Sequence, residues 1–415
     1  MGTARRGERC ELSVTAAPGF VAAGIAAGIK TGAYLGRPDL ALVSTADRRP
    51  VTAAGVFTTN LVAAAPVQVS RRHLAAQPRA AAVVLNSGNA NAATGAAGLA
   101  VAERTCVAAA DALGCAPDDV LVCSTGLIGY PLAPDPIEAG LPKLVAELQT
   151  GPEAGRRAAE AIMTTDSVIK EATSTAALSD GTTVTVGGMA KGAAMLSPAM
   201  ATMLAVLTTD AAAEPRALHV ALERAVDATF NQLTTDGCRS TNDTVLALAS
   251  GGAGNAPIGF GGPDAHALAD AVGEVCASLA DQMARDAEGA TRFVRIHVRG
   301  ARSREDARRA ARAVAQSQLV KCSLYGGDPY WGRILSELGA SGAYLEPDQV
   351  DIAYGGIPVC IGGVAAPDHD ASAVARVMAG PDIEITCDLR LGLGEATVTT
   401  VDLSPAYIAE NMATS

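Results

Sequence analysis

Aromatic residues are scarce in this chain: one Trp, five Phe and seven Tyr, 3 % of 415 residues. A core without them has to be built from Ala, Val, Leu and Ile, with closely approaching elements. Positive charge is also short, with 32 Lys and Arg against 43 Asp and Glu, a net charge of −11. That argues against broad binding to a phosphate backbone, and no Lys/Arg-rich patch is interleaved with aromatics. The most basic stretch, residues 302–312 (RSREDARRAAR), is interrupted by acids and reads as one solvated helix face. The nine cysteines form no CxxC pair, so neither a zinc ribbon nor a dithiol redox motif is indicated. An odd, scattered set suits reduced thiols in a cytoplasm.

Other signals are missing too. The arginines of the N-terminus have no apolar segment behind them, so no secretory or twin-arginine signal is read there. Arg6 stands where myristoylation needs Ser or Thr. No apolar run reaches the ~18 residues of a membrane span. The expectation is a cytoplasmic protein with no membrane or nucleic-acid partner. No GxxxxGK[ST] occurs, and the glycine-rich residues 251–262 do not follow a strand in GxGxxG spacing, so they read as a surface loop. The five histidines, His73, His219, His266, His297 and His369, make no HExxH pair and sit in no Ser/Thr/Gly cluster. A Ser-His-Asp triad is poorly supported, and no metal or cofactor is called for.

What is present is a chain long enough for one large or two ordinary domains, 49 % hydrophobic. Residues 40–44, 82–86, 120–124 and 203–207 are short apolar runs that read as buried strands. Residues 182–186 and 292–299 also read as strands. Helical spacing covers residues 99–113, 134–149, 154–163, 211–231 and 263–286. The mixture predicts a layered α/β fold.

Several polar clusters could carry chemistry. Residues 86–91 (NSGNAN) follow a buried strand, where ligands dock in α/β sheets or where Asx turns form. Ser124-Thr125-Gly126 also follows a strand. A hydroxyl beside a glycine N–H can form an oxyanion hole, and a simple turn is the alternative. Residues 163–166 (MTTD) with Lys170 form a third cluster, and residues 240–244 (STNDT) pack small polar groups before an apolar run. Lys191 could hold a carboxylate as a point charge, and Glu288 an ammonium. In residues 191–210, KGAAMLSPAMATMLAVLTTD, Thr202 is a lone hydroxyl between apolar neighbours. It reads either as a bland strand residue or as a nucleophile activated by its own α-amine after cleavage of the preceding bond.

Taken together, these segments resemble the ornithine acetyltransferases of arginine biosynthesis, bifunctional glutamate N-acetyltransferases. The resemblance is carried, in order, by SGNANAATG from Ser87, STGLIG from Ser124, MTTD from Met163, KGAAMLSPAMATML from Lys191, STNDTV from Ser240, RDAEGATR from Arg285 and LVKCSLYGGDPYWGRIL from Leu319. It implies an N-terminal-nucleophile-like layered α/β fold, self-cleaved at Ala201–Thr202 into an α chain, 1–201, and a β chain, 202–415. It implies Thr202 as nucleophile, Thr125 and Gly126 as oxyanion hole, and Thr165, Lys191, Thr202, Glu288, Asn411 and the terminal Ser415 as substrate contacts. The substrates implied are N-acetylornithine and glutamate. Acetyl-coenzyme A is an added donor in some members, although no segment here forms a coenzyme A cradle. The implied assembly is α2β2. Departures fall at Ala193, Ala194 and Ala199, where the family has KGSGMI and PNMATML, at Tyr330 in place of Asn, and at a shortened C-terminus. They leave room for a paralogous N-terminal-threonine acyltransferase or amidase with another acyl-amino-acid substrate, or for an uncleaved amino-acid-binding descendant.

Overall fold

The structure, a computed structural model, describes residues 13–196, 203–367 and 369–412. Ala201, Thr202 and Ser415, expected at the cleavage site and in the substrate site, lie outside the described residues, as does Ala199.

The first half of the chain runs β1 (Phe20–Ile25), β2 (Leu40–Thr45), β3 (Val51–Phe57), α1 (Ala65–Ala76), β4 (Arg79–Ala80), β5 (Ala82–Asn89), α2 (Gly95–Leu113), β6 (Val120–Leu127), α3 (Pro134–Ala146), α4 (Pro152–Ala161), β7 (Lys170–Ala177) and β8 (Thr183–Lys191). The second half begins β9 (Leu204–Thr209), α5 (Pro215–Ala228), β10 (Thr244–Ala249) and α6 (Pro263–Arg285). One sheet has the order β1-β2-β5-β6 and a second β4-β3-β10-β9-β8-β7.

These elements stack as helix, sheet, sheet, helix. Successive side chains of a strand face opposite sides, and here both sides are covered. Ala41 and Val43 of β2 face the second sheet and α4, packing with Met189, Val206 and Leu246. Leu40 and Leu42 face the other way, against α1, α2 and α3. The outer face of the second sheet packs Val186, Leu207 and Val245 against α5 and α6. Burial on both faces explains why these strands are unbroken apolar runs rather than alternating ones.

A third sheet lies downstream. It contains β11 (Phe293–Ala301), α7 (Arg304–Gln316), α8 (Gln318–Gly326), α9 (Trp331–Ala340), β12 (Asp351–Tyr354), β13 (Ile357–Ile361), β14 (Val364–Ala365), α10 (Ala371–Ala379), β15 (Asp382–Asp388) and β16 (Gly394–Val401), with α11 (Pro405–Asn411) at the end. Its strand order is β14-β13-β12-β15-β11-β16, and it has its own apolar core. The basic stretch 302–312 is indeed a helix with a solvated face: α7 buries Ala307, Ala310 and Ala311 and turns its charges outward.

The helix expected from residue 211 begins later, at Pro215. Ala213 instead bridges Ile258 in parallel, and proline, which lacks an N–H to lose, takes the first helical turn. The strand expected at 182–186 runs on to Lys191. The 201/202 boundary falls between β8 and β9, which are antiparallel neighbours in one sheet. It therefore does not divide the second sheet into two folding units. Among the described residues, no helix is long and apolar enough to cross a membrane.

Candidate active site between the two central sheets

Strand pairing assembles the site. Lys191, the last residue of β8, pairs with Leu204 of β9, and Leu204 pairs on its other side with Thr244 of β10. Three neighbouring strands thus set Lys191, Leu204 and Thr244 side by side, each ~4.8 Å from the next, with Met203 and the 240–244 loop adjoining them. Opposite them, in the first sheet, Thr125 and Gly126 lie within the last residues of β6, not after the strand as expected.

Thr125 is buried, and among the described residues its Oγ1 has no hydrogen-bond partner. A buried hydroxyl left unpaired costs about 1–3 kcal/mol, so its persistence marks a place where a ligand atom is to be met. Gly126 has φ +132°, and a Cβ there would lie 2.3 Å from the Gly88 carbonyl carbon. Only glycine fits. Gly88 and Gly126 are register partners on β5 and β6, so the glycines bring the SGN and STG strand ends close together.

The second part of the site is a buried charge cluster. Lys191 Nζ donates to Thr164 Oγ1 (2.6 Å) and lies 3.5 Å from Asp166 Oδ2. Lys170 Nζ donates to Asp166 Oδ1 (2.7 Å) and Asp286 Oδ2 (2.6 Å). Asp166 also accepts from the N–H groups of Gly192 (2.7 Å) and Thr164 (3.0 Å). Burial opposes its ionisation, yet Lys191, Lys170 and these donors win and hold the carboxyl well below its usual range. Thr165, half-buried, stands between Thr164 and Asp166 in this cluster.

The third part is anionic. Glu288 is 8 % exposed, and its Oε2 accepts from Asn411 Nδ2 (2.7 Å). Its N–H donates to the Ala193 carbonyl (2.9 Å). One short segment, Lys191 to Ala193, therefore runs from the cation cluster to the carboxylate. The alanine at 193 leaves this contact intact, because the backbone carbonyl makes it. Tyr330 lies elsewhere, before α9 on the third sheet's helices, where it stacks on Arg333.

The site thus unites Thr125, Gly126, Thr165, Lys191, Glu288 and Asn411. Sequence reasoning missed one cation. Lys30 is buried, donates to the Pro38 carbonyl (2.6 Å), and packs its side chain where a Cβ on Gly88 would meet it. Burial lowers its pKa to about 8, with Lys191 adding to the effect and Asp39 opposing it. The Asp39 carboxylate accepts the N–H groups of residues 27–30 and so holds this loop in place. Lysine is almost never fully buried unless paired, and nothing in the sequence around Lys30 announces the exception.

Histidine takes no part: His73 bonds to the Val120 carbonyl and His297 to Thr397. Among the described residues, no group of His, Cys, Asp and Glu has the geometry to hold a metal ion. A hydroxyl unpaired among the described residues, a buried cation and a buried anion are thus set between two sheets of a helix–sheet–sheet–helix fold, groups whose chemistry suits an acyl group on a small zwitterion.

Comparison with known proteins makes this specific. The ArgJ family pattern matches residues 21–414, and the chain belongs to that family. It is 47 % identical over 398 residues to the arginine biosynthesis bifunctional protein ArgJ of Symbiobacterium thermophilum, covering 96 % of this chain and 97 % of that one. It is 49 % identical over 411 residues to the protein of the same name from Mycobacterium leprae, covering 97 % and 95 %. Among solved structures it is similar to the ornithine acetyltransferase of Mycobacterium tuberculosis complexed with ornithine. That match has 45 % identity and a TM-score of 0.41, and covers 46 % of this chain and 96 % of that one.

Proposed function

We propose that this chain is a glutamate N-acetyltransferase of arginine biosynthesis, moving the acetyl group of N-acetylornithine to glutamate through an acetyl ester on Thr202. The observation that carries this is the buried Thr125 hydroxyl, unpartnered among the described residues, beside Gly126 near the end of β6 and across from β9, the strand that begins just after Thr202. Near-full-length identity to the ArgJ proteins supports it.

The chain is first cut at Ala201–Thr202. The Thr202 hydroxyl adds to the Ala201 carbonyl carbon, the C–N bond breaks, and the acyl group passes to oxygen. Water then hydrolyses that ester, leaving a carboxylate on Ala201 and a free amine on Thr202. The fragments 1–201 and 202–415 stay together through the β8–β9 pairing, and two such cleaved copies assemble as α2β2 in the cytoplasm.

In the acetyl transfer the Thr202 amine, with an ordinary pKa of about 7.7–8, takes the hydroxyl proton. The oxygen attacks the acetyl carbonyl. Thr125 and Gly126 donate to the oxyanion that develops. The C–N bond breaks, ornithine leaves with the proton, and acetyl-Thr202 remains. The amine of glutamate then attacks this ester. Lys191 holds the substrate carboxylate and Glu288, braced by Asn411, the side-chain ammonium of ornithine. Lys30 adds a second cation, which suits glutamate with its two carboxylates. Thr165 borders the same pocket.

The test is direct. Incubating the purified protein with N-acetylornithine and glutamate yields ornithine and N-acetylglutamate, and T202A yields neither. Absence of both products from the wild type refutes the proposal.

A further inference from the structure

Residues 240–244 join the two halves of the site, and two adjacent side chains make the join. Asn242 reaches the first sheet, where its Nδ2 donates to the carbonyls of Ser124 (2.8 Å) and Ala90 (2.6 Å). The Ser124 carbonyl shares a planar peptide group with the Thr125 N–H, so Asn242 fixes the backbone leading into Thr125 and Gly126 on β6. Asp243 reaches the second sheet, where its Oδ1 accepts from the Met203 N–H (2.9 Å). That N–H belongs to the peptide group leaving Thr202. Both side chains are buried, and their Cα atoms are consecutive, about 3.8 Å apart.

The loop is itself braced. Thr58 donates its hydroxyl to the Ser240 carbonyl (2.8 Å) and its N–H to the Asp243 carbonyl (2.9 Å). The Ala64 N–H donates to the Thr241 carbonyl (2.9 Å). The Thr241 hydroxyl donates to Asn242 Oδ1 (2.6 Å), which leaves the amide one orientation.

We propose that Asn242 and Asp243 are positioning residues, a two-armed clamp that sets the Thr202 nucleophile against the Thr125–Gly126 oxyanion site for both self-cleavage and acetyl transfer. This rests on Thr202 being the nucleophile. The clamp acts through the peptide groups of residues 124 and 203. Among the described residues, Asp243 Oδ2 has no partner in hydrogen-bond geometry. Burial pushes the carboxyl well above its ordinary range, against the Met203 amide, the Ser240 hydroxyl and Lys191. A neutral side chain of the same shape therefore offers Met203 the same acceptor.

Two isosteric swaps have opposite expected outcomes. N242D turns an acceptor toward two carbonyls. Its self-cleavage and the kcat of its cleaved fraction fall about 10²-fold, the scale expected of a 1 Å misplacement. KM for N-acetylornithine stays within about threefold, since Lys191 and Glu288 are untouched. D243N keeps an acceptor for Met203 and holds kcat within about threefold of wild type, whereas D243A loses about tenfold or more. If N242D keeps wild-type kcat in its folded fraction, or if D243N and D243A are equally impaired, the clamp is wrong. Should N242D show no thermal unfolding transition, D243N and D243A decide alone. Wild type measured alongside separates the two claims. No cleavage and no acetyl transfer there refutes the nucleophile, while an active wild type with equal D243N and D243A refutes only the clamp.

Discussion

The four central layers and the third sheet place their charges by different rules. The third sheet has an apolar core and keeps ion pairs such as Arg299–Asp388 at its surface, with the arginine side chain 56 % exposed. The central layers have surface pairs too, such as Arg72–Glu103, but they also bury a cluster: Lys170 is among the largest fully buried side chains, held between Asp166 and Asp286. A buried ion pair recovers its desolvation cost only with excellent geometry, and an apolar replacement is often as stable. The central cluster is therefore better understood as a holder of charge at the site than as a device of stability. Among the described residues, ion pairs buried on both sides occur only in the central cluster, while the buried lysine of the third-sheet region, Lys321, is held by Thr400 and the Val401 carbonyl.

Substitutions in the two regions can break that contrast. The largest expected effect is K170M, which leaves Asp286 without a compensating cation and Asp166 with Lys191 alone, 3.5 Å away. Removing one partner of a buried pair costs about 3–5 kcal/mol, to be read from urea unfolding, and a loss below about 1 kcal/mol would show the cluster to be solvated. Next is E288Q. It keeps an acceptor for Asn411 but loses the charge, so KM for N-acetylornithine rises about tenfold or more while kcat changes little, as expected for a charged hydrogen bond of about 1.5–3 kcal/mol. Steady-state kinetics checks this, and an unchanged KM would remove Glu288 from the substrate site.

A smaller effect is expected at Glu171 on β7, whose Oε1 is buried without a partner. Burial raises its pKa to about 7. Between its ordinary pKa of 4.5 and that value, the folded state holds a proton that the unfolded state has released. Stability therefore falls as pH rises through this window and stays reduced above it. E171Q removes the penalty, so Tm rises by about 2 °C or more at pH 8 and is unchanged at pH 4. The smallest effect belongs to the third sheet: R299A changes the unfolding free energy by at most about 1 kcal/mol.

The central strands were legible because they are covered on both faces. Residues 40–44, 82–86, 120–124 and 203–207 leave apolar runs that no surface strand would need. β7 was missed because Lys170-Glu171-Ala172-Thr173 looks like a solvated segment; its lysine is buried only because Asp166 and Asp286 meet it. Most of the third sheet was missed too: its strands after β11 are short or, like β15, alternate buried and exposed residues.

Of the residues proposed for the site, Thr125, Lys191 and Glu288 were readable from their motifs. Asn242 and Asp243 appeared only as members of a polar cluster. Their partners Ser124 and Met203 are 118 and 40 residues away in the chain, beyond what spacing can report. Lys30 has no local signal at all, since its place depends on Asp39 folding the preceding loop around its carboxylate.

The central claim is that Thr202 becomes an N-terminal nucleophile which carries the acetyl group. Intact mass spectrometry of the purified protein, with and without N-acetylornithine, tests it most directly. The account predicts two fragments, 1–201 and 202–415, with one acetyl adduct appearing on the Thr202 fragment and discharged by glutamate. A single uncleaved chain, or an adduct on the 1–201 fragment, would contradict it.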